Sequence, residues 1–331
     1  MNTIKYPTLE NQRPGLWSLL QSATSQLWQN NWLLTSLTCY FALQFILFTI
    51  LALVDDTVVT GANAWFKPMK FALSSAFYLG TITWMLGHLP TRRRLVNGLG
   101  YGLGIVLIVE VAVISFQAAR GVSSHFNFST PLNGTLFSVM GGAIMLLNIM
   151  TLVLAIVLAV VKIKDRPLAW AMRGGVLIAL LAGIPGYMMT APTADQRAVL
   201  EAGESSPIIG AHTVGAEDGG PGLPFLGWST EAGDLRPAHF IGLHALQILP
   251  LAALVLRRRG TGRLSEKQQT GLIGVAGLSY GAFMFLLIWQ ASRGQALIRP
   301  DALTAGVAAA WLGLSTLGAV AAWLGLSTLG A

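Results

Sequence analysis

The sequence predicts an all-α polytopic integral membrane protein with eight transmembrane helices, and three observations predict it. Of 331 residues, 53% are hydrophobic and only 11% charged, against about 25% charged in soluble domains. Apolar runs recur at about 32–54, 69–88, 98–117, 134–161, 168–190, 239–256, 270–290 and 303–330. Each is long enough to cross the hydrocarbon core as a helix, the form in which a single segment satisfies its own backbone in lipid. The third observation is the alternation of charge between successive loops.

Basic residues collect in every second loop. Lys5 and Arg13, then Arg92, Arg93 and Arg94, then Lys162, Lys164, Arg166 and Arg173, then Arg257, Arg258, Arg259, Arg263 and Lys267 account for 14 of the 21 Lys and Arg. The positive-inside rule places these loops, and with eight spans both termini, in the cytoplasm. The expected location is a bacterial cytoplasmic (inner) membrane. The net charge of +7 follows from this topology, and no nucleic-acid partner is expected. Cys39 is the one cysteine, so no internal disulfide forms.

The chain divides into a cytoplasmic tail, 1–31, and two four-helix units, 32–161 and 162–331. In the tail, Pro14 to Trp32 reads as an amphipathic helix lying on the membrane. Pro14 suits its first turn, and Leu16, Trp17, Leu19, Leu20, Leu27 and Trp28 form its apolar side.

An internal duplication underlies the two units. Lys67-Pro68-Met69-Lys70-Phe71 opens the second span, and Arg236-Pro237-Ala238-His239-Phe240 opens the sixth, 169 positions later. Gln117-Ala118-Ala119-Arg120-Gly121 closes the third span, and Gln290-Ala291-Ser292-Arg293-Gly294 closes the seventh, 173 positions later. Triple arginines follow the second and sixth spans. Four spans is an even number, so the repeats point the same way across the membrane. Trp311 to Ala319 recurs as Trp323 to Ala331, a local tandem copy whose small residues suit close helix packing. Pro185 and Pro250 stand inside spans and are expected to kink them.

The loop 191–237 has seven acids against two arginines and faces outward in this topology. Loops of that length are usually functional or disordered. Its middle, Gly219 to Trp228, mixes turn formers with apolar residues and reads as a lid or shallow re-entrant loop packing back on the bundle, or as a plain surface loop.

The chemistry-bearing residues gather near the outer face. Glu110 lies in the third span, where a carboxylate is costly unless it faces the bundle. It is a candidate proton carrier or general base, with Gln117 and Arg120 on the same helix. His239 stands at the mouth of the sixth span and His244 inside it. Five residues rotate a helix by about 140°, so the two rings do not share a face, and His244 reads as the deeper. His125 follows Arg120. Lys70, Trp228, Asp234, Arg236, Gln290 and Arg293 complete the candidate set. Glu110 and His244 are the candidate catalytic groups, and His125, His239 and His244 the candidate metal or haem ligands.

Three functions fit this pattern. The first is a haem b or transition-metal redox protein, with arginines receiving propionates. The second is a transporter or receptor for a small anionic or zwitterionic solute. The third is an enzyme acting at the outer leaflet on an amphiphilic substrate. The expected partners are the lipid bilayer and a small ligand or cofactor at the outer face.

Overall fold

The computed structural model describes residues 16–89, 93–260 and 263–326. The tail before residue 16, with Pro14, and the end of the C-terminal nonapeptide copy lie outside them, as does Arg92. The described chain is helical apart from two short β pairs and the loops. Helix α1 (Leu16–Asn30) leads into α2 (Trp32–Val54), and a two-stranded hairpin, β1 (Val58–Val59) with β2 (Ala62–Asn63), precedes α3 (Phe66–Leu86). Then come α4 (Arg93–Ala119), α5 (Pro131–Val160), α6 (Arg166–Leu181), α7 (Gly183–Thr190) and the short α8 (Ala194–Glu201). Strand β3 (Thr213–Val214) pairs with β4 (Gly233–Asp234), and α9 (Arg236–Gly260), α10 (Glu266–Ser292) and α11 (Ala302–Trp323) follow.

Among the described residues, seven helices are long and apolar enough to cross a membrane: α2, α4, α5, α6 with α7 as one column, α9, α10 and α11. The segment read as 69–88 is also a helix, α3, but it is not one of the seven. Lys67 and Lys70, together with Ser74, Ser75 and Thr81, give α3 its more polar character.

Caps at several helix ends were legible in the residues. Asn31 accepts the Leu34 N–H before α2, Thr130 accepts the Asn133 N–H before α5, Asp165 caps α6 and Asp301 caps α11. Ser265 and Gln268 form a capping box on α10. The 168–190 run is not one unbroken helix, because it breaks at Ala182. Pro185 has no N–H for the Leu181 carbonyl, so the ladder opens one turn upstream. Helix α9 continues as one helix through Pro250.

The two halves pack in the same order. In the first half α2 lies on α3, α3 on α4, α4 on α5, and α2 also on α4. In the second half α6 lies on α9, α9 on α10, α10 on α11, and α6 on α10. The halves meet where α5 packs on α6 and α3 on α9. Positions 68, 72, 75, 79 and 83 are buried along α3, and 238, 242, 245, 249 and 253 along α9. These faces coincide at an offset of 170, one more than the offset of the two prolines. Pro68 is the third residue of α3 and Pro237 only the second of α9, so equal motifs enter the two helices one residue out of phase.

The Gln-Ala-x-Arg-Gly corners are built alike. Gln117 Nε2 reaches the Ser123 carbonyl six residues on, as Gln290 Nε2 reaches that of Ala296. Gly121 (φ 66°) and Gly294 (φ 72°) turn the chain through the left-handed region, where glycine has no Cβ clash. Arg120 lies over the Phe116 ring, 5.5 Å from its centre, and Arg293 over Trp289 at 4.8 Å. Each arginine then bonds the first turn of the next helix: Arg120 Nη1 to Asn133 Oδ1 at 2.8 Å, and Arg293 Nη1 to Thr304 Oγ1 at 2.7 Å, with Asp301 beside it.

Arg120 thereby satisfies two buried acceptors, on Gln117 and Asn133. Replacing it with alanine leaves Gln117 Oε1 unpaired and Asn133 Oδ1 with the Gln117 Nε2 bond alone, and the expected loss is roughly 1–3 kcal/mol. Arg293→Ala should cost less, because its acid partner Asp301 is exposed. Thermal unfolding of both variants in detergent checks the order.

Candidate functional site at the long-loop end

The loop 191–237 is folded onto the bundle. Its chain pairs with the loop after α4: Phe128 N–H donates to the Pro207 carbonyl and Ile209 N–H to that of Phe126. The hairpin from Pro221 to Thr230 reaches across to the first half. Phe225 packs on Phe66 with ring centres 5.7 Å apart, and Lys70 Nζ donates to the Leu226 carbonyl at 3.3 Å. Gly61 and Gly219 approach so closely that a Cβ on Gly61 would stand 2.6 Å from the Gly219 carbonyl oxygen. Of the two readings of this loop, the lid describes its packing.

Several sequence candidates hold the lid rather than a ligand. Asp234 is 3% exposed. It accepts the Ser229 and Arg236 N–H groups and the Arg236 guanidinium, the shortest contact being 2.6 Å. Arg236 also donates to the Gly227 carbonyl at 2.6 Å. The pair closes the base of the hairpin. Arg120, Gln117, Gln290 and Arg293 are absorbed by the helix corners.

Beneath the lid lies a polar cluster drawn from four parts of the chain. Lys67 comes from the first turn of α3, Glu110 from the middle of α4, His125 from the loop after it, and His239 from the first turn of α9. The loop adds His212. Lys67 stands within electrostatic reach of Glu110, Asp218, Lys70 and Arg236, and of His125 and His212. It takes part in none of the hydrogen bonds or ion pairs found among the described residues. Glu110 is 2% exposed, and its Oε1 has no hydrogen-bond partner. Lys67 and Glu110 thus lie within electrostatic reach of each other and share no hydrogen bond or ion pair.

Each histidine has its Nδ1 engaged. His125 Nδ1 lies 3.0 Å from Ser124 Oγ, and its ring sits among Phe71, Phe126 and Phe137, each with its ring centre 6.0 Å away. His239 Nδ1 donates to the Ala182 carbonyl at 2.7 Å. That carbonyl lies at the α6–α7 break, so His239 ties the start of α9 to this junction. Gly186 leaves room for the ring: a Cβ there would be 3.2 Å from His239 Cε1. His212 Nδ1 donates to Asp218 Oδ2 at 2.5 Å. Asp218 also accepts the His212 and Thr213 N–H groups and the Thr213 hydroxyl.

The electrostatics of the loop groups follow from burial. His125 is held well below the usual imidazole range by burial, and then by the charges of Lys67, His212 and His239. His212 is also lowered by burial, against the opposing hydrogen bond to Asp218. Burial would raise the Asp218 carboxyl, but the bonds from His212 and Thr213 outweigh it and hold the group well below the carboxylate range. Both imidazoles are neutral at pH 7. His212 and His239, with Nδ1–H donating, keep the Nε2 lone pair as an acceptor.

His244 stands apart. Its contacts are the Phe240 ring, 4.3 Å away, and Gln247 Oε1 at 3.2 Å. Trp228 lies against the other side of Phe240, at 5.8 Å. The ring read as the deeper of the two is thus on the outside of α9, and His239 is the one in the cluster. The 140° rotation separated the two correctly, but which of them faces inward depends on where α6 and α10 pack. His212 and Asp218 had no signal in the sequence beyond an acid six residues after a histidine in a glycine-rich loop. Among the described residues, no three His, Cys, Asp or Glu side chains converge as metal ligands. A concavity of about 780 Å³ beside the start of α5, against Phe128, Thr130 and Val139, contains none of the cluster residues.

The histidines set a pH dependence. A buried neutral imidazole has its folded pKa below its unfolded value of about 6.5. The unfolded chain then binds more protons below that pH. Stability should be flat above about pH 7 and fall as pH drops from 6.5 toward 5. His125→Asn should flatten that fall, as read by thermal unfolding across the pH series.

No family model matches the chain, and neither does any curated protein or any solved structure.

Proposed function

We propose that this chain is an eight-span membrane protein of two parallel four-helix repeats, 32–161 and 162–331, with both termini in the cytoplasm. It binds a small zwitterionic or anionic solute at a lidded site on the outer face. The common packing order and matched corners of the two halves support the repeat. Counting α3 as a span supports the topology, since α2 and α4 need a return helix between them and α3 packs on both. Its 21 residues make about 31 Å, near the hydrocarbon thickness.

The observation that carries the function is Lys67. Lys67 has no hydrogen-bond or ion-pair partner among the described residues, and within its electrostatic reach lies the buried Glu110 carboxyl, whose Oε1 has none either; buried polar groups left so are costly. A ligand with an anionic group for Lys67 and a donor group for Glu110 completes both. The Nε2 atoms of His212 and His239 add acceptors for its N–H groups. An α-amino acid has this polarity. Further into the bundle most buried side chains of α3 and α4 are apolar, Leu79, Ile82 and Met85 on α3 and Leu103 and Val106 on α4, with Thr83 the polar exception there. That supports a binding or sensing site over a through-pathway.

The test uses thermal shift and calorimetry on purified protein with glycine, glutamate and alanine, and with acetate and methylamine as half-ligands. A zwitterion should stabilise the fold, and the halves should not. Lys67→Met and Glu110→Gln should each weaken affinity about ten- to a hundredfold, the value of a charge-assisted hydrogen bond. If no probe stabilises the protein, the reading fails.

One observation favours the haem or metal reading. His212 and His239 have Nδ1 engaged by a carboxylate and a backbone carbonyl, the arrangement that orients ligating imidazoles. Lys67 among them works against a bound cation. A Soret band or stoichiometric metal in the purified protein would select this reading over a solute site.

A further inference from the structure

The structure leaves one candidate from the sequence outside the site, and its position has a consequence. On α9, Phe240, Ile248, Leu251 and Val255 are exposed, between 42% and 56%. They form one stripe at helical spacing, which faces lipid in a membrane. His244 and Gln247 lie in the same stripe, half-buried and bonded to each other. That bond uses His244 Nδ1 and Gln247 Oε1. His244 Nε2 and the Gln247 amide hydrogens remain, on a face where lipid tails offer no partner. His244 is eight residues from the start of α9, about 12 Å along the helix. That depth is below the level of phosphate headgroups and within the hydrocarbon.

We propose that this stripe binds the ring of an isoprenoid quinone or quinol, with His244 and Gln247 bonding the ring oxygens and the tail lying along Ile248, Leu251 and Val255. Gln247 has N–H groups for a quinone carbonyl, and the histidine Nε2 accepts from a quinol hydroxyl. Beside the pair, Trp228, Phe240 and His244 meet edge to face, giving aromatic surface for a ring to pack against. A phospholipid has its polar atoms too shallow for this pair. A simple hydrocarbon has no atoms to bond it. The site does not depend on the Lys67–Glu110 cluster, which lies under the lid.

The test measures ubiquinol-1 binding to the detergent-solubilised full chain by equilibrium dialysis under reducing, anaerobic conditions, because a quinol hydroxyl can both donate to His244 Nε2 and accept from Gln247, with decane-1-ol as an apolar control. Saturable, ring-dependent binding is expected. It should fall at least tenfold in both His244→Leu and Gln247→Leu, while thermal stability and zwitterion binding stay unchanged. These two changes place apolar groups on a lipid-facing stripe, so they should fold. Binding that is absent, or unchanged in both variants, overturns the proposal. So does a dimer crosslinked through Leu251→Cys in the native membrane, which would show that a second copy covers the stripe.

Discussion

A bilayer core offers a polar group only the partners that its own chain brings, and the folded chain is arranged around that scarcity. The Ala182 carbonyl, at the junction where Pro185 interrupts the α6–α7 column, accepts from His239 of α9. Gln117, Asn133 and Arg120 satisfy one another at the α4–α5 corner, and Gln290, Arg293, Thr304 and Gln295 do so at the α10–α11 corner. Tyr280 donates to the Ile241 carbonyl of α9, and Tyr78 bonds Thr151 across α3 and α5. These pairs give each interhelical contact a fixed register, which apolar packing alone leaves loose. Among the described residues, the exceptions are Lys67, which makes no hydrogen bond or ion pair, and the buried oxygens Glu110 Oε1 and Gln44 Oε1.

The lid and the site are one construction. The segment that covers the cluster also contributes His212 and Asp218 to it, and it is fastened on both sides. Its hairpin is held to the first half through Phe66 and Lys70 and to the second through Arg236 and Asp234. Lid movement would therefore change the surroundings of Lys67 directly, since Asp218 and Arg236 are two of the charges within its reach.

The two halves share helix order and corner geometry, but they differ where chemistry sits. The α4 face carries Glu110, while in α10, 173 residues later, Phe283 stacks on Trp311. The motif that opens α3 carries Lys67 and Lys70, and its partner opening α9 carries Arg236 and His239. One half keeps an open charge, and the other closes its arginine on Asp234.

The residues by themselves determined the membrane class, the helix positions and the corner motifs. Composition, apolar run length and caps such as Thr130 and Asp301 act over a few neighbours, and those neighbours are adjacent in the chain. Only the tertiary structure decided which side chains meet. The one-residue phase difference between α3 and α9 follows from where each helix begins. It set His239 inward and left His244 outward, against the expectation from depth alone. Arg120 and Arg293 look like anion holders in the sequence, yet each is consumed by a first-turn acceptor of the next helix. His212 and Asp218 join the site because the lid folds back from more than eighty residues beyond His125, and local residue patterns cannot encode a contact that depends on that return.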